Sequence, residues 1–250
     1  MAIVPASNQT VTRGVDKVLS VQRPAVLAHI SSIRKSKPDA APAEILRILE
    51  RRYLAAVTTG GALVGASAAI PAVGTVASVA LSAAETAGFL EASALFAQSV
   101  TEVHGIAVED PERARTLVMT MILGGAGSEL VEQLAGQVAG GGTTRTAFWG
   151  ELVTKSLPKS AVSKIAGRVR NYFFKRFAAR EGASIVGRAL PFGVGAVIGG
   201  AGNHLLGRRV VKSARTAFGP PPASFPLVLG SGVVMSTTPP QHDPALLPPQ

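Results

Sequence analysis

The chain has 250 residues, of which 47% are hydrophobic but only 5% aromatic, with 25 Lys and Arg against 15 Asp and Glu and no cysteine. That composition allows a substantial core built from small aliphatic side chains, and it excludes disulfides, a thiolate nucleophile and a cysteine-based zinc site. The opening M-A-I-V-P-A-S-N-Q-T lacks a basic stretch followed by an apolar one, so synthesis without export, in the cytoplasm, is expected.

From Val15 to about Lys35 apolar residues recur at helical spacing (Val18, Val21, Val26, Ile30, Ile33), with a break expected at Pro24. The linker K-S-K-P-D-A-A-P closes an N-terminal segment of residues 1–41, and Pro42 suits the first turn of the next helix. In that helix Ile45, Leu49, Tyr53 and Val57 form one apolar stripe, while Glu44, Arg47, Glu50 and Arg51 are expected in water. Between Arg52 and Glu85 there is no formal charge for 32 residues, and the rest of the chain is organised around this run. Pro71 near its middle, followed by Gly74, breaks it into two helical arms that form a hairpin. Gly61, Gly65 and Ala69 reduce one face of the first arm to backbone, which lets a neighbouring helix approach closely. Each arm measures about 20–27 Å, short of a ~30 Å hydrocarbon crossing, so burial within protein is favoured over insertion in a bilayer.

Gly105 suits the end of the second arm, Asp110 a helix cap and Pro111 the first position of the helix that follows, which breaks at G-G-A-G-S. Another helix starts near Ser128 and ends in a glycine-rich loop at residues 139–144. Two basic helices divided near Pro158 follow, then a final pair, G-R-A-L-P-F-G-V-G-A-V-I-G-G-A-G-N-H-L-L-G and R-R-V-V-K-S-A-R-T-A-F-G. No segment of the core alternates with period two, so the fold class is all-α, a single compact helical domain over residues 42–219. Beyond Gly219 nine prolines in 31 residues mark a disordered tail, 220–250, interrupted by the apolar island F-P-L-V-L-G-S-G-V-V-M. That island is either a docking segment or inert.

Charge is unevenly spread. Residues 1–150 carry 12 basic and 12 acidic side chains, whereas residues 151–218 carry 13 basic ones against Glu151 and Glu181. Such a block meets an anionic partner or forms a solvated face. Lys164, Arg168 and Lys175 fall on one side of a helix, with Ile165, Val169, Tyr172 and Phe173 in an adjacent stripe. An apolar, aromatic face edged by cations fits an anionic membrane surface; the competing reading is a core-packing face with a basic rim. Nucleic acid is not expected as a partner, because charge is present without a recognisable module.

Candidate chemistry is sparse. Glu91, Gln98 and Glu102 share a helix face, but Glu102 and His104 do not form the Glu-x-x-His of a di-metal site. With Glu85, His104 and Asn203 they read as interior polar groups, the carboxylates either satisfied in the interior or bridged to the basic half. Gly193, Gly195 and Gly199 fail as a dinucleotide fingerprint, since Pro191 replaces the preceding strand and no acid occurs from Gly182 to His242. Gly195, Gly199 and Asn203 instead repeat the small spacing of Gly61, Gly65 and Ala69, and the two segments are expected to pack together. No G-x-S-x-G motif, metal site or cofactor site is found, and the chain is expected not to be an enzyme.

E-R-R-Y-L-A-A-V-T-T-G-G-A, I-P-A-V-G-T, A-E-T-A-G-F-L-E-A, E-V-H-G-I-A-V-E-D-P-E-R, L-P-F-G-V-G-A-V-I-G-G-A-G-N and G-R-R-V-V-K-S-A-R-T-A-F-G together resemble the EcsC protein family in its actinobacterial form, over residues 43–219. The resemblance implies a membrane-associated protein accessory to a membrane transport or secretion system, and it carries over no catalytic residue. The leading expectation is therefore a non-enzymatic protein held peripherally at the inner face of the cell membrane. A soluble helical carrier of a lipid or other apolar ligand is the alternative.

Overall fold

The computed structural model describes residues 13–14, 17–19, 23–67, 75–106, 108–138, 148–151, 153–154, 157–187, 194–226 and 229. Its elements are α1 (Arg23–Ser36), α2 (Pro42–Ser67), α3 (Thr75–Val103), α4 (Pro111–Leu123), α5 (Gly125–Val138), α6 (Trp149–Glu151), α7 (Lys159–Gly187) and α8 (Val194–Phe218). No strand occurs among the described residues, as an all-α sequence requires. One continuous core runs from Leu19 and α1 through α2, α3, α4, α7 and α8 to Leu229.

Residues 17 and 18 are helical, Leu19 is a turn and α1 begins at Arg23, so the break expected at Pro24 falls just before it; Pro24 takes the first turn of α1, where its missing N–H costs nothing. Val26, Ile30 and Ile33 point inward. In α2 the stripe Ile45, Leu49, Tyr53 and Val57 is buried along its length, and the helix continues without interruption into the glycine-rich arm. The hairpin tip, with Ala69, Pro71 and Gly74, lies outside the described residues. Below it Tyr53 joins the two arms: its ring stacks on Phe96 at 4.7 Å, and its hydroxyl lies 2.8 Å from that of Ser93. Ser93 donates to the carbonyl of Phe89, so Tyr53 is the donor of the pair. Burial pushes the Tyr53 phenol well up from its ordinary value.

Gly105 leaves α3 with φ 70°, a conformation that favours glycine. Asp110 then caps α4, its carboxylate accepting from the backbone N–H of Glu112 at 2.8 Å and of Arg113 at 3.3 Å, with Pro111 in the first turn. Gly124, φ 68°, separates α4 from α5. The Arg113 guanidinium donates to the carbonyls of Val153 (2.7 Å) and Leu157 (2.6 Å), tying α4 to the turn that leads into α7.

The glycine-rich segment and the basic segment expected as a final pair form one helix, α8. It packs antiparallel to α2 over most of the length of both. Gly207, where the first of the two expected helices ends, lies in mid-helix: a side chain there would come within 3.0 Å of Leu54 and Val57. The seam closes most tightly where Gly61 meets Gly199; a Cβ on Gly61 would sit 2.5 Å from the Gly199 carbonyl oxygen. Gly65 borders the same contact, and Gly195 lies one turn before Gly199 on α8.

Among the described residues of the uncharged run in α2, one face is covered in this way. Val57, Gly61 and Gly65 are buried, whereas Ala55, Ala56, Thr59, Leu63 and Ala66 face outward, Leu63 with 68% of its surface exposed. Burial within protein, favoured over insertion in a bilayer, is thus seen along the seam for the described residues of the run in α2, because α8 shields that side. No helix among the described residues is long and apolar enough to cross a membrane.

Candidate functional site

The outward side of α7 gathers the basic residues. Lys159, Lys164, Arg168, Arg170, Lys175 and Arg176 are all exposed, and no Asp or Glu occurs between Leu152 and Arg180. Lys164, Arg168 and Lys175 are separated by four and seven residues, which places them on one line along the helix. None of the three forms an ion pair among the described residues. Tyr172, 36% exposed, borders this line, and its hydroxyl accepts a hydrogen bond from Arg176 Nη1 at 3.0 Å.

Phe173 corrects the expectation of an aromatic face. It is 1% exposed and, with Ile165 and Val169, is packed in the core; its ring meets Phe174 edge-on at 5.6 Å. The stripe that resembled a lipid-facing surface is the side by which α7 attaches to α4 and α5, leaving Tyr172 as the aromatic residue beside the cations. Helical periodicity places a residue on a face without telling which face the rest of the chain covers.

The interior polar candidates separate in the same way. Glu91 is exposed, contrary to expectation, although it shares a helix face with Gln98 and Glu102. The reason is cover: every residue from Phe96 to Val103 is buried, while the turns before Leu90 stand largely in solvent. Glu102 is buried and pairs not with the basic half but with Arg23 of α1, whose Nε donates at 2.6 Å and Nη2 at 3.3 Å. This contact raises the Arg23 pKa against the opposing effect of burial. Glu85 accepts from Asn203 Nδ2 at 3.0 Å, joining α3 to α8 beside the glycine seam. The Thr58 hydroxyl donates to the Leu54 carbonyl at 2.6 Å and therefore accepts from His204 Nδ1 at 3.0 Å.

Gln98 has its amide nitrogen buried with no hydrogen-bond partner among the described residues. His104 donates from Nδ1 to the Val100 carbonyl at 2.8 Å, and its ring lies 5.3 Å from that of Phe218. Burial lowers its pKa, partly offset by that hydrogen bond and by Glu151. No three His, Asp or Glu side chains converge among the described residues in a way that could hold a metal.

Two features escaped sequence reasoning. Glu50, expected in water, is largely shielded and receives a bidentate pair from Arg215 of α8, Nε at 2.7 Å and Nη2 at 2.5 Å. The proline-rich segment begins by docking: Arg34 lies 4.5 Å over the Phe225 ring and donates to the Leu229 carbonyl, and Leu229 is buried. The apolar island F-P-L-V-L marked this segment, but nothing local pointed to Arg34. No protein-family model matches the chain, and no curated protein or solved structure is detectably similar to it.

Proposed function

We propose that the protein is a non-enzymatic, EcsC-like, peripheral membrane protein that meets an anionic lipid surface with the outward side of α7. The observation that carries this reading is the line Lys164, Arg168 and Lys175, solvent-facing and with no Asp or Glu between Leu152 and Arg180. Cations so placed give up no ion pair among the described residues on meeting phosphate head groups, and each contributes about 1 kcal/mol near such a surface. Three together amount to roughly a hundredfold in affinity. The uncharged outer side of α2 beyond Arg52, with Leu63 exposed, supports shallow contact with the apolar side of the interface. In keeping with the family resemblance, the role is accessory to a transport or secretion system in that membrane.

The test is sedimentation with vesicles of phosphatidylcholine alone and of phosphatidylcholine mixed equally with phosphatidylglycerol. Binding to the mixed vesicles, reduced by salt and by the triple change Lys164→Gln, Arg168→Gln, Lys175→Gln, is expected. Equal binding to both compositions, or none to either at low salt, would overturn the reading.

A further inference from the structure

A cavity of about 340 Å³ opens between α2, α3 and α8 on the far end of the seam from the hairpin tip. Leu46, Phe96, Val100 and Ala214 form its apolar walls, and the turn at Gly219 and Pro221 edges it. The charged groups at its lining are Arg47, Glu50 and Arg215. Both carboxylate oxygens of Glu50 are engaged by Arg215. Arg47 is exposed and has no ion pair among the described residues. The lining thus carries one positive charge more than its own acid neutralises.

We infer that this cavity binds a small anionic amphiphile, a single apolar chain of about ten carbons ending in one carboxylate. The size follows from the volume, since 340 Å³ corresponds to about eleven water-sized groups of ~30 Å³ each. Apolar walls with a few polar groups, here Arg47, Glu50, Arg215 and His104, suit a ligand with an apolar body and one polar end. The sign of that end follows from Arg47: a carboxylate accepts bidentate donation from a guanidinium, whereas a cation meets repulsion and a neutral head leaves the charge unanswered. Arg215 is already oriented by Glu50 and so borders the same head group without having to give up its pair.

Calorimetric titration of the full chain with decanoate, 1-decanol and decyltrimethylammonium tests this. Decanoate should bind with one-to-one saturation, at least tenfold tighter than the alcohol, and the ammonium compound should not bind. Arg47→Gln, at an exposed position, should weaken decanoate about tenfold and leave decanol unchanged. Ala43→Phe, which places a ring in the cavity from its half-buried rim, should abolish both, with vesicle binding by α7 retained. Equal affinity for decanoate and decanol, no saturable heat with either, or undiminished decanoate binding by the Arg47→Gln protein would refute the inference.

Discussion

Gly61 of α2 and Gly199 of α8 lie backbone against backbone, so close that a Cβ on either would collide with the other's carbonyl oxygen. The approach lets Asn203 on the next turn reach across to Glu85 of α3, so that one contact between two hydrogen-only side chains aligns three helices.

Gly61→Ala should therefore destabilise the fold by about 1–3 kcal/mol through forced separation of the helices. Gly202→Ala, one turn from Gly199 on the open side of α8 with nothing within 4 Å, should instead stabilise by about 1 kcal/mol, because alanine restricts the unfolded chain. Opposite shifts in thermal midpoint, roughly 2–4 °C per kcal/mol for a chain of this size, distinguish the two. A common sign would show that propensity, not the seam, sets the cost.

The start of the proline-rich segment should contribute to stability through Arg34. Leu229→Ala should cost about 2 kcal/mol, the low end of the range for a buried leucine at the edge of a core. Arg34→Ala and Phe225→Ala should be coupled, with the double variant less destabilised than the sum by about 0.5–1 kcal/mol for the partly exposed cation–π contact. Strict additivity in urea denaturation would show that Arg34 acts only through the Leu229 carbonyl.

Acid should weaken the fold before the carboxylates titrate. Burial lowers the pKa of His104, and burial with the nearby Arg52 lowers that of His29, each from an ordinary value of 6.5. A histidine held neutral in the native state is protonated first in the unfolded chain, so its contribution is complete above about pH 6.5 and is lost as the pH falls toward the lowered native value. Thermal midpoints should decline between pH 7 and 5.5, and His104→Gln should flatten that decline. An unchanged slope in this variant would place the pH sensitivity elsewhere.

Much of the architecture was legible where local chemistry decides it. The Ile45 to Val57 stripe, the Asp110 cap with Pro111 and the left-handed Gly105 depend on residues within one or two turns of one another, so spacing alone identifies them. The pairing of the two small-residue segments was also legible, because bare backbone has few uses other than close approach. What distant elements decide was not. Arg23 reaches Glu102 across 79 positions, Arg215 reaches Glu50 across 165, and Arg34 reaches Leu229 across 195. The exposure of Glu91 and the burial of Phe173 likewise depend on which neighbour covers a helix face, which periodicity does not encode.

Tyr172 and Phe173, adjacent in sequence, should separate stability from membrane contact. If α7 meets lipid with its cationic side, Phe173 belongs to the core alone. Phe173→Ala should then cost about 3–5 kcal/mol, the value for an aromatic side chain removed from a packed site, while vesicle binding by the remaining folded protein keeps its salt dependence. Tyr172→Ser should change stability by less than about 0.5 kcal/mol, as expected for a surface position whose hydroxyl makes one exposed hydrogen bond. It should still weaken vesicle binding, since a tyrosine beside three cations supplies the amphipathic ring that settles at head-group depth. Circular-dichroism melting and vesicle sedimentation on the same two variants give the comparison. A Phe173→Ala protein that melts like the parent and no longer sediments with anionic vesicles would mean that α7 turns its aromatic stripe outward on the membrane, detaching from α4 and α5.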